Sequence, residues 1–223
     1  MSPAGAASGS LASLPVPPGA VLLARSVVDH DGVVVGLARA GAAWRLLAST
    51  TGTPEALQAY DGDVIREGGL TKIVGPASAR NAAAVRAALP WLAPRPLGLH
   101  TSAGFGDRLG LATPGHVRAL RAAAPQIAPV FAQQSVREMA RTGRGPQDVI
   151  DAATWGALAE GWRGPVGADA DHLKSLADVE RCAASGYSLF TIDPGEHVDP
   201  LADTADAPTL RERLAQLPWA ALE

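Results

Sequence analysis

Two carboxylates, an imidazole and an ammonium group fall within six residues of this sequence, Asp169-Ala170-Asp171-His172-Leu173-Lys174, directly after the apolar run Pro165-Val166-Gly167-Ala168. A carboxylate taken out of water is costly unless it is paired, hydrogen-bonded or metal-bound. Asp and His are hard or borderline ligands. Their grouping here suits a divalent cation with a second carboxylate left to act as a base. The same residues also fit the start of a helix, with Asp171 as N-cap and His172 in the first turn. Local spacing leaves both readings open.

The elements that must position these groups favour the site. Four apolar segments begin at Leu97, Pro129, Pro165 and Ser188, with spacings of 32, 36 and 23 residues. Helical stretches over 114–124, 146–161 and 176–185 separate them, and Pro114 and Pro146 stand at the heads of the first two. Strands alternating with helices at this interval predict βα units and a parallel sheet. Polar residues follow every segment: His100 to Arg108, then Gln133-Gln134-Ser135 with Arg137 and Glu138, then the Asp169–Lys174 group, then Asp193-Pro194-Gly195-Glu196-His197. Parallel α/β folds bind ligands at the carboxyl ends of their strands. Four segments with that one polarity outweigh the helix-cap reading.

Individual residues carry competing readings. Gly104-Phe105-Gly106-Asp107-Arg108 is either a binding loop that admits an anionic substrate or a tight turn with Asp107 and Arg108 paired. Thr101, Ser102 and Arg108 add donors suited to a carboxylate. Gln133 and Gln134 offer amides suited to sugar hydroxyls, and strand alternation turns one of the two away. Lys174 either anchors a substrate carboxylate or is a solvated helix residue. His116, at a helix head, and His30, in a turn, read first as solvent-facing. Gly68-Gly69 with Thr71 and Lys72 would cradle an anion, without the spacing of a phosphate loop. Trp155 and Trp162 sit seven apart on one helix face and read as core.

The 223 residues carry a net charge of −3 with a pI near 5.9, which argues against a nucleic-acid or anionic-membrane surface. One cysteine, Cys182, excludes an internal disulfide and fits a reducing compartment, so a cytoplasmic location is expected. Residues 1–18 are rich in Ala, Gly, Ser and Pro and read as a disordered tail. Residues 19–95 read as a β-meander plus helix: apolar runs over 21–28, 33–38 and 42–49, a short helix over 55–60, an irregular stretch over 64–76, and a helix over 78–89. Residues 96–223 form the βα region.

Three collinear stretches, Phe105-Gly106-Asp107-Arg108-Leu109-Gly110-Leu111-Ala112-Thr113-Pro114-Gly115-His116, Phe131-Ala132-Gln133-Gln134-Ser135-Val136-Arg137-Glu138 and Gly167 to Lys174, resemble the tagaturonate epimerase family. The resemblance is specific from about Gly98 to His197 and looser before that. It implies a TIM-barrel-like, metal-dependent enzyme that inverts C4 of a keto-hexuronate, interconverting D-tagaturonate and D-fructuronate. It further implies that His172 is a ligand to a divalent cation and that Asp169 or Asp171 is the proton acceptor. The Gly104–Arg108 loop, Gln134 and Lys174 would contact the sugar acid. Both deprotonation and retro-aldol cleavage remain open as routes.

A complete barrel takes roughly 250 residues, at least about 200, whereas 127 run from Leu97 to the end of the sequence. The expected fold is therefore a partial (βα)8 barrel of about four units with a last helix over 205–223. Its outer strands need a partner, either a missing C-terminal half or a second copy. Little or no epimerase activity is expected of such a chain alone. Two rival readings remain: another metal-dependent sugar aldolase or isomerase on a TIM barrel, and a non-catalytic half-barrel assembly subunit.

Overall fold

Valine-rich alternation and paired turn residues build the first sheet. The computed structural model describes residues 13–221. Asp31 and Gly32, at φ 51° and 77°, close a hairpin between β2 (Val28–His30) and β3 (Val33–Ala40), as the Asp-Gly pair dictates. β3 continues through Gly41 into β4 (Ala43–Thr50). A short β1 (Val21–Leu22) pairs on the other side of β3. β5 (Asp63–Glu67) and β6 (Leu70–Pro76) complete an antiparallel sheet of order β1-β3-β4-β6-β5. The stretch expected to be irregular is thus a hairpin. Gly68 and Gly69, both at positive φ, form its turn and not an anion cradle. Residues 1–12 of the expected tail lie outside the described residues, but Leu14 is already buried against Val34, Ala38 and Leu47. The 55–60 helix is a single 3₁₀ turn over Pro54–Leu57.

The second sheet is parallel, in the order β10-β9-β8-β7. Its strands are β7 (Ser102–Gly106), β8 (Ala128–Ser135), β9 (Gly167–Leu173) and β10 (Leu189–Ile192). Three connections carry helices: α2 (Thr113–Ala123), then α3 (Val136–Thr142) with α4 (Pro146–Ala159), then α5 (Leu176–Ala184). Chain order equals spatial order, as expected of successive βα units, and the four described strands form an open sheet. One expected strand is misplaced. The Leu97 segment is a turn with Gly98 at φ 59° and Leu99 fully exposed. The strand itself is the glycine-rich 102–106.

Both sheets belong to one unit that ends at Ile192, so no boundary near residue 95 divides them. One buried cluster takes Leu37 and Leu46 from the antiparallel sheet, Val85 from α1 (Ala79–Ala88) with Leu89 just past its end, and Phe131, Ile150, Leu158 and Leu173 from the parallel half. A buried ion pair crosses the same seam. Arg86 Nη1 on α1 lies 2.7 Å from Asp151 Oδ1 on α4 and also donates to Thr154. The second unit, Asp193–Glu223, contains α6 (Ala207–Ala215), capped by Asp206, and a 3₁₀ turn at 219–221, shorter than the single helix expected. Among the described residues no helix is long and apolar enough to cross a membrane.

Removing Arg86 isolates a carboxylate in this seam. Burial already pushes the Asp151 carboxyl above its ordinary range, opposed by hydrogen bonds from Arg86 and Gln147. Arg86→Ala is expected to cost about 3–5 kcal/mol near neutral pH. The raised folded-state value fixes the sign: the variant's deficit shrinks as pH falls and Asp151 takes up a proton. Urea titrations of both proteins at pH 7.5 and pH 5 read this, and an equal deficit at the two values contradicts it.

Candidate active site

The register of the parallel sheet puts Gln133 of β8 opposite Asp169 of β9, and Asp169 opposite Leu189 of β10. Gln133 Nε2 donates to Asp169 Oδ2 at 3.0 Å, and Thr191 Oγ1 of β10 donates to Oδ1 at 2.9 Å. Gly104 of β7 leaves room for the Gln133 amide, because a β-carbon there would stand 2.2 Å from Gln133 Oε1. A polar row therefore crosses β8, β9 and β10, and Gly104 of β7 gives it room. Asp169, only 3% exposed, is its centre, with both oxygens held by neutral donors.

Two residues further along β9, Asp171 Oδ1 lies 2.7 Å from His172 Nδ1. His172 adopts a left-handed φ of 57°, which costs a residue with a β-carbon about 1–3 kcal/mol and recurs at functional positions. The twist leaves the imidazole half-exposed while Leu173 returns to the core. A histidine gripped at Nδ1 by a carboxylate presents Nε2 outward, the arrangement that orients metal-bound imidazoles. The fit to a metal ion is partial. Among the described residues no group of three His, Cys, Asp or Glu side chains gathers around a common point. The chain offers one oriented nitrogen, not a closed coordination sphere.

These groups border a hollow of about 260 Å³ at the carboxyl ends of the strands, lined by Arg108, Gln133, Gln134, Arg137, Asp171 and His172 among others. Its floor is braced from the helix side. Arg144 donates to Gln134 Oε1 and the Asp107 carbonyl, both at 2.9 Å, and to the Asp148 carbonyl at 3.0 Å. Gly110, at φ 72°, leaves space for that guanidinium. A larger hollow of about 720 Å³ lies at the opposite, amino ends of the strands. Arg95 and His100 are its only ionisable lining groups, and Leu97, Leu99, Ile127 and Trp162 dominate it. Size favours that cavity, but chemistry favours the smaller one.

The structure brings Asp171, His172, Arg108 and Gln134 to one rim and separates others from it. Thr101 and Ser102 do not belong there. They lie at the amino end of the sheet, Ser102 four residues before Gly106, or roughly 13 Å along the strand. The expectation followed from placing the strand at Leu97. Asp107 is 7% exposed and is not paired with Arg108; its carboxylate accepts from the backbone N–H groups of Leu111, Ala112 and Thr113 at the start of α2. Burial alone would raise its carboxyl, and those N–H groups outweigh burial and hold it below the ordinary carboxylate range. Arg108 reaches Glu138 instead. Of the two glutamines, Gln133 joins the row, whereas Gln134 turns its amide to Thr142 and Arg144. Asp171 is not a helix cap; Ser175 caps α5 by accepting from Asp178 N–H. Lys174 is exposed just past β9.

The family model for tagaturonate epimerase matches residues 24–221. The chain belongs to the tagaturonate epimerase family. It is 50% identical over 122 residues to the tagaturonate/fructuronate epimerase of Thermotoga maritima, a stretch covering 55% of this chain and 25% of that protein. Crystal structures of fructuronate-tagaturonate epimerase UxaE from Cohnella laeviribosi, one native and one with a single glycerol, superpose with a TM-score of 0.78 at 30% identity. The native structure is matched over 92% of this chain and 40% of its own, the glycerol complex over 91% and 40%. The chain thus spans between a quarter and two fifths of the length of these relatives.

In this family member, sequence reasoning missed Thr191 and Arg144 as positioning residues and set Gln133 aside in favour of Gln134. Thr191 carried a signal, being the one polar side chain in an otherwise apolar strand. Arg144 carried none, because it works through backbone carbonyls that composition does not reveal. Gly104→Ala is expected to displace the Gln133 amide from Asp169 at a stability cost of about 1–3 kcal/mol, set by the hydrogen bond lost from a buried carboxylate more than by the clash with the end of a flexible side chain. An amide chemical-shift map checks it: local changes at Gly104, Gln133 and Asp169 support the row, whereas changes that stop at β8, or global unfolding, oppose it. Asp107→Ala is expected to cost about 1–2 kcal/mol at pH 7. Its folded-state carboxyl is depressed, so the wild-type advantage is present above the ordinary carboxylate range and disappears as pH falls through the folded value. Denaturant titration across pH 2.5–7 measures this.

Proposed function

We propose that this chain binds a keto-hexuronate at the carboxyl rim of the parallel sheet and supplies one side of a C4-epimerase site for D-tagaturonate and D-fructuronate. In this reading the four strands are a section of a larger (βα) barrel. The observation that carries it is the cross-strand row centred on Asp169, a carboxylate buried among neutral donors beside a polar hollow of sugar-binding size.

The chemistry follows from the substrate. With the ketone at C2, the hydrogen on C4 is not adjacent to the carbonyl and is not acidified by it. Cleavage of C3–C4 is the route the ketone supports. A base takes the proton of the C4 hydroxyl, and the C3–C4 electron pair moves toward the ketone, leaving an enolate and a C4 aldehyde. The aldehyde turns over, the enolate adds to its other face, and a proton returns to the new C4 oxygen. We assign the proton acceptor to Asp169, reached where Gln133, which lines the hollow, yields to the sugar. Asp171 orients His172, whose Nε2 would hold a divalent cation. Such a cation, when bound, polarises the ketone oxygen. Inversion also needs a group on the opposite face of the sugar, and the residues of this row all stand on one side.

Titration of the chain with D-tagaturonate, followed by NMR of protein and sugar together, separates binding from turnover. The expected result is saturable shifts at Gln133, Asp169 and Thr191 that weaken in Asp169→Asn, with D-fructuronate signals absent or far below those of a full-length relative. No binding refutes the hexuronate reading. Turnover at a relative's rate refutes the one-sided assignment.

A further inference from the structure

We infer that Arg137, together with Arg108, forms the subsite for the carboxylate of the hexuronate, with Glu138 as the group that holds the two guanidiniums in place. This rests on the reading of the rim as a hexuronate site. Glu138 is buried along its side chain, at 12% exposure, and three arginines surround it. Arg141 Nη1 donates to Oε1 at 3.1 Å, one turn along α3. Arg108 Nε, from the β7–α2 loop, stands 3.3 Å from Oε2, and Arg137 Nε stands 3.9 Å from Oε1. Both guanidiniums therefore meet Glu138 by the Nε side. Among the described residues their terminal amino groups have no hydrogen-bond partner. Both arginines line the hollow, as do Asp171 and His172, while Arg141 does not.

The charge balance favours an anion. Three guanidiniums against Glu138 leave two positive charges at this wall, and the carboxylates that offset them, Asp171 and Asp169, stand on β9. A guanidinium's terminal fork matches a carboxylate in two parallel hydrogen bonds. Two forks anchored at one wall, with Asp169 and His172 further along the same rim, would grip a sugar acid by its charged end and leave its ketone end toward β9. Glu138 acts as a positioning residue: it keeps two long side chains in a single geometry, lowering the entropy lost on binding.

The test compares D-tagaturonate with D-tagatose, the same ketose with a hydroxymethyl group in place of the carboxylate, and with malonate, a simple dicarboxylate. Dissociation constants are read by protein NMR on wild type, Arg137→Gln and Arg108→Gln. Both arginines are more than two-thirds exposed, so each variant should keep the wild-type melting temperature. The expected result is that tagaturonate binds at least tenfold more tightly than tagatose. Either substitution should erase most of that difference and leave tagatose affinity unchanged. Equal affinities for acid and neutral sugar in wild type, or variants that weaken both alike, overturn the carboxylate subsite while the hexuronate-binding reading survives. Malonate binding that depends on Arg137, with neither sugar bound, supports the anion subsite and refutes the hexuronate reading. No binding of any of the three overturns both.

Discussion

The pairing register between β8 and β9 is the constraint on which the rest of the site depends. Gln133 and Gln134 are chemically identical, and only the pleat tells them apart. With Gln133 opposite Asp169, one amide lies over Gly104 and bonds the carboxylate, and the other points to the helix layer, where Arg144 holds it. A slip of one residue would exchange the two faces, bringing a buried carboxylate against the apolar helix packing and leaving an alanine in the hollow. Burial of Ala168 and Ala170 on the helix side makes that slip costly. The packing that stabilises the sheet is thus the same packing that aims the polar row.

Much of this was legible in the sequence because it depended on local chemistry. The helices expected over 114–124, 146–161 and 176–185 lie at Thr113–Ala123, Pro146–Ala159 and Leu176–Ala184. The polar residues at the carboxyl ends of β8 and β9 do reach one rim. What failed did so for definite reasons. Pro96-Leu97-Gly98-Leu99 has the apolar content of a strand, but Gly98 at positive φ makes it a turn. The real strand, Ser-Ala-Gly-Phe-Gly, has little intrinsic β preference and owes its conformation to pairing with β8. That error carried Thr101 and Ser102 to the wrong end of the sheet. The β5–β6 hairpin went unread because its Gly-Gly turn was weighed as a ligand loop before its flanks were tested for alternation. Asp107 misled because a carboxylate among glycines looks the same in sequence whether it awaits a ligand or closes its own loop.

Electrostatics explains why some charged residues at the rim are structural and others are not. Asp107 is held by backbone N–H groups, and Oδ1 of Asp151 by Arg86 and Gln147; each is fixed where the chain needs a seam closed. Arg144 likewise uses its guanidinium on two carbonyls and an amide. Such groups spend their hydrogen bonds on the protein's own backbone and side chains. The residues facing the hollow differ. His172 is held by one nitrogen only, and the exposed arginines touch Glu138 by one edge only. Whether the remaining hydrogen-bonding capacity faces the hollow, more than charge or residue type, separates a binding group from a brace.

Asp169 belongs to neither class, and the difference has a physical basis. Both its oxygens are occupied, yet by an amide and a hydroxyl, neither carrying a charge. A buried carboxylate neutralised by arginine would be a poor base, because giving up its charge would strand the guanidinium. Neutral donors impose no such penalty and can rotate to follow a change in protonation. Gln133 is the longer of the two and is seated over a glycine with no side chain beside its amide. The sequence therefore places a glycine on β7 to serve a carboxylate two strands away, and the missing β-carbon there is part of the site.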